Sequence, residues 1–370
     1  MKRRSYLRGV SLVIAAGIFL AGCGTDSAKD VTEATAKEKQ QVEENSQQAS
    51  KKAQQDKFYF TANEGGTISK VNAVNNEVVK TIQADGVVHN IQVSPDGKTV
   101  AATIVPSMGA HGGDEHDDGG HEMEMNGSAL FYDTETDEFL KEVEVGSHPA
   151  HIVYTEDGKY ALVTNNEDNS VSVIDTEDYT VLNTMGTGEG PHGFRISSDS
   201  KYAYIANMGE DSVSVINLET MKEDRKIQVG AAPVTTGIST DGKTLVATLN
   251  AENALAIVDL ESGNIEKVGV GMGPAQVYLA SNNEFAYVAN QGTESNPSNS
   301  ITIVDLKSKA AISTIETGKG AHGVVLSEDS NTAYVTNMFE NTVSIIDLIT
   351  KEVKQTIKVG EVPNGITIMK

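Results

Sequence analysis

An all-β fold, a seven-bladed β-propeller with four-stranded blades, is predicted by three observations: a sequence repeat, four strand-like runs in each copy, and a C-terminal run that supplies a strand the first copy lacks. Pro149, Pro191, Pro233 and Pro274 open successive copies about 42 residues apart, a period typical of repeat architectures. In the copy that starts at Pro191, apolar and polar residues alternate over residues 193–198, 202–207, 212–217 and 225–229, as strands require. Tight turns separate them. Ser94-Pro95-Asp96-Gly97-Lys98 recurs in looser form at Asp157-Gly158 and Asp241-Gly242, where glycine accepts the backbone of a reversal.

The second strand of each copy opens at Phe58, Thr99, Tyr160, Tyr202, Thr244, Phe285 and Ala333, which gives seven blades. The region begins at Phe58 with a second strand that has no first. It ends at residues 363–369 with a first strand that has no second. The terminal strand is therefore expected to complete the first blade and close the ring, so that no sheet edge is left between the ends.

Ala333-Tyr334-Val335-Thr336-Asn337, followed by residues 342–347 and 356–360, resembles the repeat of the YVTN, or YncE-like, propellers, a group that also contains surface-layer-like proteins. The resemblance covers about residues 58–370 and implies the propeller fold. It implies little about activity, because one scaffold carries many functions.

Residues 1–22 read as a leader, with basic Lys2, Arg3, Arg4 and Arg8, an apolar run from Val10 to Leu20, and small residues after it. That run is short for a membrane span. Leu20-Ala21-Gly22-Cys23 resembles the lipobox of bacterial lipoproteins, which implies cleavage before Cys23 and a diacylglycerol on its sulfur. The alternative is an uncleaved anchor with an incidental cysteine. Either way the expected location is the extracytoplasmic face of the cell membrane, with residues 23–57 as a polar linker to the propeller at 58–370.

The chain carries a formal charge of −23, and loss of the basic leader makes the remainder more acidic still. Such a surface repels phosphate backbones, so nucleic acid is not expected as a partner, whereas cations are. Cys23 is the only cysteine, which excludes an intrachain disulfide, a thiolate zinc cluster and covalent haem attachment through paired cysteines. Tryptophan is absent, which argues against propellers built on Trp docking, such as WD40 repeats and quinoprotein dehydrogenases.

The second blade is longer than its neighbours, and the excess lies at about 106–128 between its second and third strands. It carries His111, His116 and His121, the carboxylates Asp114, Asp117, Asp118 and Glu122, and the thioethers Met123 and Met125, among several glycines. Imidazoles spaced by five with carboxylates between them suit a divalent transition ion such as zinc or copper. The spacing does not fit an EF-hand. The alternative is a solvated polar loop without a ligand.

A second constellation emerges when the repeats are aligned. His89, His192 and His322 share one position with Asn364, and His151 falls one place later, all near the start of a blade's first strand. First strands line the channel of a propeller, so these imidazoles are expected around one channel mouth, on the face that also carries the 106–128 insertion and acidic turns such as Glu64. The alternative is an inherited turn residue with no shared ligand. Asn63, Asn165, Asn207, Asn250, Asn290 and Asn337 are expected to be turn-stabilising acceptors.

The function these features suggest is that of a non-enzymatic, lipid-anchored binding propeller that takes up zinc or copper. The alternatives are a cell-surface scaffold for another extracytoplasmic protein or polymer, and a lactonase-like hydrolase. No nucleophile motif supports the last.

Overall fold

The computed structural model describes residues 57–106 and 126–370. The leader, Cys23, the linker to residue 56 and the loop residues His111, Asp114, His116, Asp117, Asp118, His121, Glu122, Met123 and Met125 lie outside them.

Seven four-stranded antiparallel sheets form, each with its strands hydrogen-bonded in the order in which they follow along the ring. In one blade the strands are Pro191–Ile196, Tyr202–Asn207, Ser212–Asn217 and Lys222–Gln228. The second and third strands are buried on both faces, because a blade packs against a neighbour on each side. Phe194, Ile205 and Ile216 accordingly share a cluster with Val153, Leu162 and Val173 of the preceding blade. This is why apolar and small uncharged residues fill both faces of these runs. The outermost strand, Lys222–Gln228, is almost wholly exposed and correspondingly charged.

The innermost strands are Gly86–Val93, Pro149–Tyr154, Pro191–Ile196, Pro233–Ile238, Pro274–Leu279, Ala321–Leu326 and Pro363–Ile368. Each touches the innermost strands of both neighbouring blades, and together they ring the channel. Closure is as expected: Pro363–Ile368 pairs with Phe58–Asn63, placing Ile368 opposite Tyr59 and Thr367 opposite Phe60.

The strands flanking the second-blade insertion run to Pro106 and from Asn126, with Ile104 opposite Ser128. Gly127 belongs to the sheet because only a glycine fits there: a Cβ would stand 2.3 Å from Cδ of Pro149. One expectation, the acceptor role of the repeat asparagines, is corrected by local geometry. The repeat asparagines are foremost donors. Asn207 is fully buried at a strand end and donates Nδ2 to the hydroxyls of Ser212 and Ser214 on the next strand, at 2.8 and 3.0 Å. Asn63, Asn165, Asn290 and Asn337 repeat that fork onto paired Ser or Thr hydroxyls. Asn165 and Asn337 also accept from a loop N–H. Asn250 departs from the pattern, donating to the carbonyl of Pro274 instead.

Candidate metal centre at the channel mouth

Every blade carries the same irregularity where its innermost strand begins. The register between the first two strands shifts between Val88 and Ile91, Pro149 and Ile152, Pro191 and Phe194, and likewise in the other blades. A bulge of this kind sets extra residues against the partner strand and redirects their side chains. Inside it lie the pairs His89-Asn90, Ala150-His151, His192-Gly193 and His322-Gly323. Consecutive positions can therefore face one region, and His151 reaches the same place as His89 and His192 despite its offset in the repeat.

The three imidazoles converge. Donor nitrogens of His89, His151 and His192 lie within 4.8 Å of one another. The rings of His151 and His192 are 4.8 Å apart between centroids, and those of His89 and His192 5.4 Å. The Nε2 atoms of His89 and His192 approach to 3.3 Å. Their outer nitrogens are anchored: Nδ1 of His89 to Oε1 of Glu64 at 3.0 Å, and Nδ1 of His192 to the carbonyl of Val234 at 3.2 Å. A carboxylate and a carbonyl only accept, so both Nδ1 atoms carry the proton, and the Nε2 atom of neutral His192 presents a lone pair toward Nε2 of His89. Such a contact is bridged either by a proton on one of the two nitrogens or by a cation between them.

His151 sharpens this picture. Its side chain is 1% exposed, yet neither ring nitrogen has a hydrogen-bond partner among the described residues. A buried polar group left unpaired costs about 1–3 kcal/mol. Thr235, Gln276 and Asn364, which also sit at these bulges, contribute further unpaired buried atoms. The unsatisfied polar groups of this fold are thus concentrated around one end of the channel.

The electrostatics keep His151 and His192 neutral. Burial, then the neighbouring imidazoles and Arg195, push His151 well below the ordinary histidine value. Burial and the nearby His89 and His322 take His192 down to about 3. Burial raises the Glu64 carboxyl, but the bonds from His89 and from Asn364 Nδ2, the latter at 2.7 Å, outweigh it and leave Glu64 below its usual value. Glu64 is therefore an ionised acceptor that orients His89. The sequence marks it as one acidic turn among several; its pairing with His89 crosses from one blade to the next and has no signature in the chain.

His322 stands apart from the cluster. It is 5% exposed and bonded through Nδ1 to the carbonyl of Asn364 at 3.3 Å, and burial takes it down to about 4. The structure thus brings together three of the four expected imidazoles.

Residues 129–283 match the YNCE-like beta-propeller family. The matched segment spans parts of five blades of the ring. No curated protein matches the chain in sequence. Several solved structures share its fold. Hydrazine synthase of Kuenenia stuttgartiensis is 22% identical, with a TM-score of 0.65 over 80% of this chain and 93% of that one. A functionally unknown protein from Desulfotomaculum acetoxidans DSM 771 is 13% identical, with a TM-score of 0.69 over 84% and 98%. A putative 6-phosphogluconolactonase from Bacteroides uniformis ATCC 8492 is 16% identical, with a TM-score of 0.64 over 85% and 100%. At these identities the likeness concerns the fold.

Proposed function

We propose that this YNCE-like propeller is an extracytoplasmic, lipid-anchored binding protein that holds a divalent transition metal, zinc or copper, at the channel mouth through His89, His151 and His192. The observation that carries the reading is the convergence of three imidazoles, of which His151 is buried without any hydrogen-bond partner among the described residues. Zinc–imidazole bonds of about 2.0–2.1 Å at a tetrahedral angle separate two nitrogens by about 3.3–3.4 Å. The Nε2 atoms of His89 and His192 already stand 3.3 Å apart. His151 would supply the third nitrogen, and Glu64 would serve as the outer carboxylate that fixes the orientation of His89. The leader at 1–22 and Cys23 support the anchor, and the loop histidines His111, His116 and His121 support delivery of metal to the same face.

Binding is favoured over hydrolysis. The neighbours named as putative 6-phosphogluconolactonases share 15–16% of their residues with this chain, which carries the fold and no catalytic residue across. A scaffold for a protein or polymer leaves the unpaired His151 without an explanation.

The test is metal content by mass spectrometry on the full chain after exposure to equimolar zinc, copper, nickel and calcium. Deletion of residues 108–124 and the double change His151→Ala/His192→Ala are measured in parallel. One equivalent of zinc or copper that survives the loop deletion and disappears with the imidazoles is expected. Metal that disappears with the loop alone, or no metal in any protein, overturns the channel site.

A further inference from the structure

The channel has a second chemical feature, three residues further along each innermost strand. Counting from the position of His192, the ring there is Gln92, Val153, Arg195, Gly237, Tyr278, Val325 and Thr367, with Arg195 its one charged member. All of them line a cavity of about 400 Å³. Gly237, on the blade between those of Arg195 and Tyr278, places no side chain between the two. The Arg195 guanidinium crosses to lie 5.9 Å from the centre of the Tyr278 ring. Its hydrogen bond within the protein runs from Nη1 to the carbonyl of its own neighbour Phe194, at 2.9 Å. No carboxylate among the described residues forms an ion pair with it. Glu328 at the cavity rim is bonded to Lys57 at 2.9 Å, and Glu156 is exposed.

Arg195 is half-buried, and a guanidinium drawn away from solvent commonly has an anionic partner, because its charge is costly to desolvate alone. Its fork presents parallel N–H groups that match the two oxygens of a carboxylate. Around it, Val153 and Val325 make the wall apolar, and the ring of Tyr278 offers a flat face. We propose that this cavity binds a small organic carboxylate, with Arg195 gripping the carboxylate and Tyr278, Val153 and Val325 packing against its apolar body. This site lies further along the channel than the metal centre and does not require the imidazoles to hold an ion, although Arg195 also acts electrostatically on His151.

Benzoate is the probe, titrated calorimetrically into the full chain, with benzamide and inorganic phosphate as comparisons. Saturable binding of benzoate and none of benzamide is expected. Arg195→Met should weaken it at least tenfold. Arg195→Lys, which keeps the charge and loses the fork, should weaken it less, and serves if the methionine variant does not fold. His151→Ala/His192→Ala should leave benzoate binding within about twofold of the parent, which separates this site from the metal centre. Absence of benzoate binding overturns the proposal. So does binding that is unchanged in the folded Arg195 variants. Phosphate bound in preference to benzoate overturns the assigned ligand class.

Discussion

The Nε2 atoms of His89 and His192 face each other across 3.3 Å, although two blade lengths of chain separate the residues. Each ring is pinned from behind by an acceptor, Glu64 for His89 and the Val234 carbonyl for His192. The fold therefore orients both rings and aims both Nε2 atoms at one point. Such preorganisation means that the geometry does not have to be assembled when a cation arrives.

Glu64 is the residue through which this arrangement is most cleanly tested. Glu64→Gln keeps the shape but offers either an amide donor or a weaker acceptor to Nδ1 of His89. Loss of an outer-shell carboxylate of this kind costs about 10–100-fold in metal affinity. Competition titration against a chromophoric chelator should show that loss for zinc while the melting temperature of the metal-free protein changes little. Unchanged affinity would remove Glu64 from the site.

Much of this was legible in the chain, for a reason specific to repeats. The spacing of the opening prolines gives the blade, and the run at 363–369 gives the closure, because every copy obeys the same packing constraints. Aligning His89, His192 and His322 by repeat position placed them on one channel mouth. His151 was visible only as an offset, since a bulge cannot be read from apolar alternation. Glu64 is visible in the sequence only as one acidic turn among several, and Arg195 carries no mark there, because their significance lies in contacts between blades at sequence separations that carry no periodic signal. The asparagines were read as turn acceptors because that is their common local use, whereas here the donor half of the amide reaches the next strand.

Those asparagines yield a differential prediction about stability. Asn207→Ala removes two buried hydrogen bonds, while Ser212 Oγ still donates to Glu210 and Ser214 Oγ still accepts from the Gly188 N–H. At about 0.5–1.5 kcal/mol for each bond the loss is about 1–3 kcal/mol. Asn250 is half-buried and donates to the Pro274 carbonyl at 3.3 Å, so Asn250→Ala should cost less than about 1 kcal/mol. Denaturant unfolding of the two variants measures the contrast; equal losses would mean that the fork onto paired hydroxyls contributes nothing special.

Acid should destabilise the propeller through His322. Its folded pKa of about 4 lies below the ordinary value because burial disfavours the imidazolium. An unfolded histidine titrates near pH 6.5. Between those values the unfolded chain holds more protons than the folded one, so stability rises with pH across that window and is lost as pH falls from about 6.5 towards 4. The slope is about 1.4 kcal/mol per pH unit for one such group. Above pH 6.5 it contributes no slope. His322→Asn, which installs the side chain already present at Asn364, should flatten the dependence of the melting temperature on pH in that window, measured with a chelator present. An unaltered slope would assign the acid sensitivity to other groups.

The closing strand gives the last prediction. Pro363–Ile368 supplies the innermost strand of a blade whose other strands come from the opposite end of the chain, and Met369 N–H bonds to the Phe58 carbonyl at 2.9 Å. Removing residues 361–370 uncovers the edge of Phe58–Asn63 and strips Ile366 and its neighbours from the packed interior. An unpaired edge of this type invites association with another chain. The loss also approaches the total stability of a domain, about 5–15 kcal/mol. Light scattering should show the truncated protein aggregating, with no cooperative unfolding transition. A synthetic peptide of residues 361–370 should restore both a monomeric ring and a cooperative melt, because the strand it replaces is held by backbone pairing and by pockets preformed in the neighbouring blades. A truncated chain that stays monomeric and melts like the parent would show that the ring is held without its clasp.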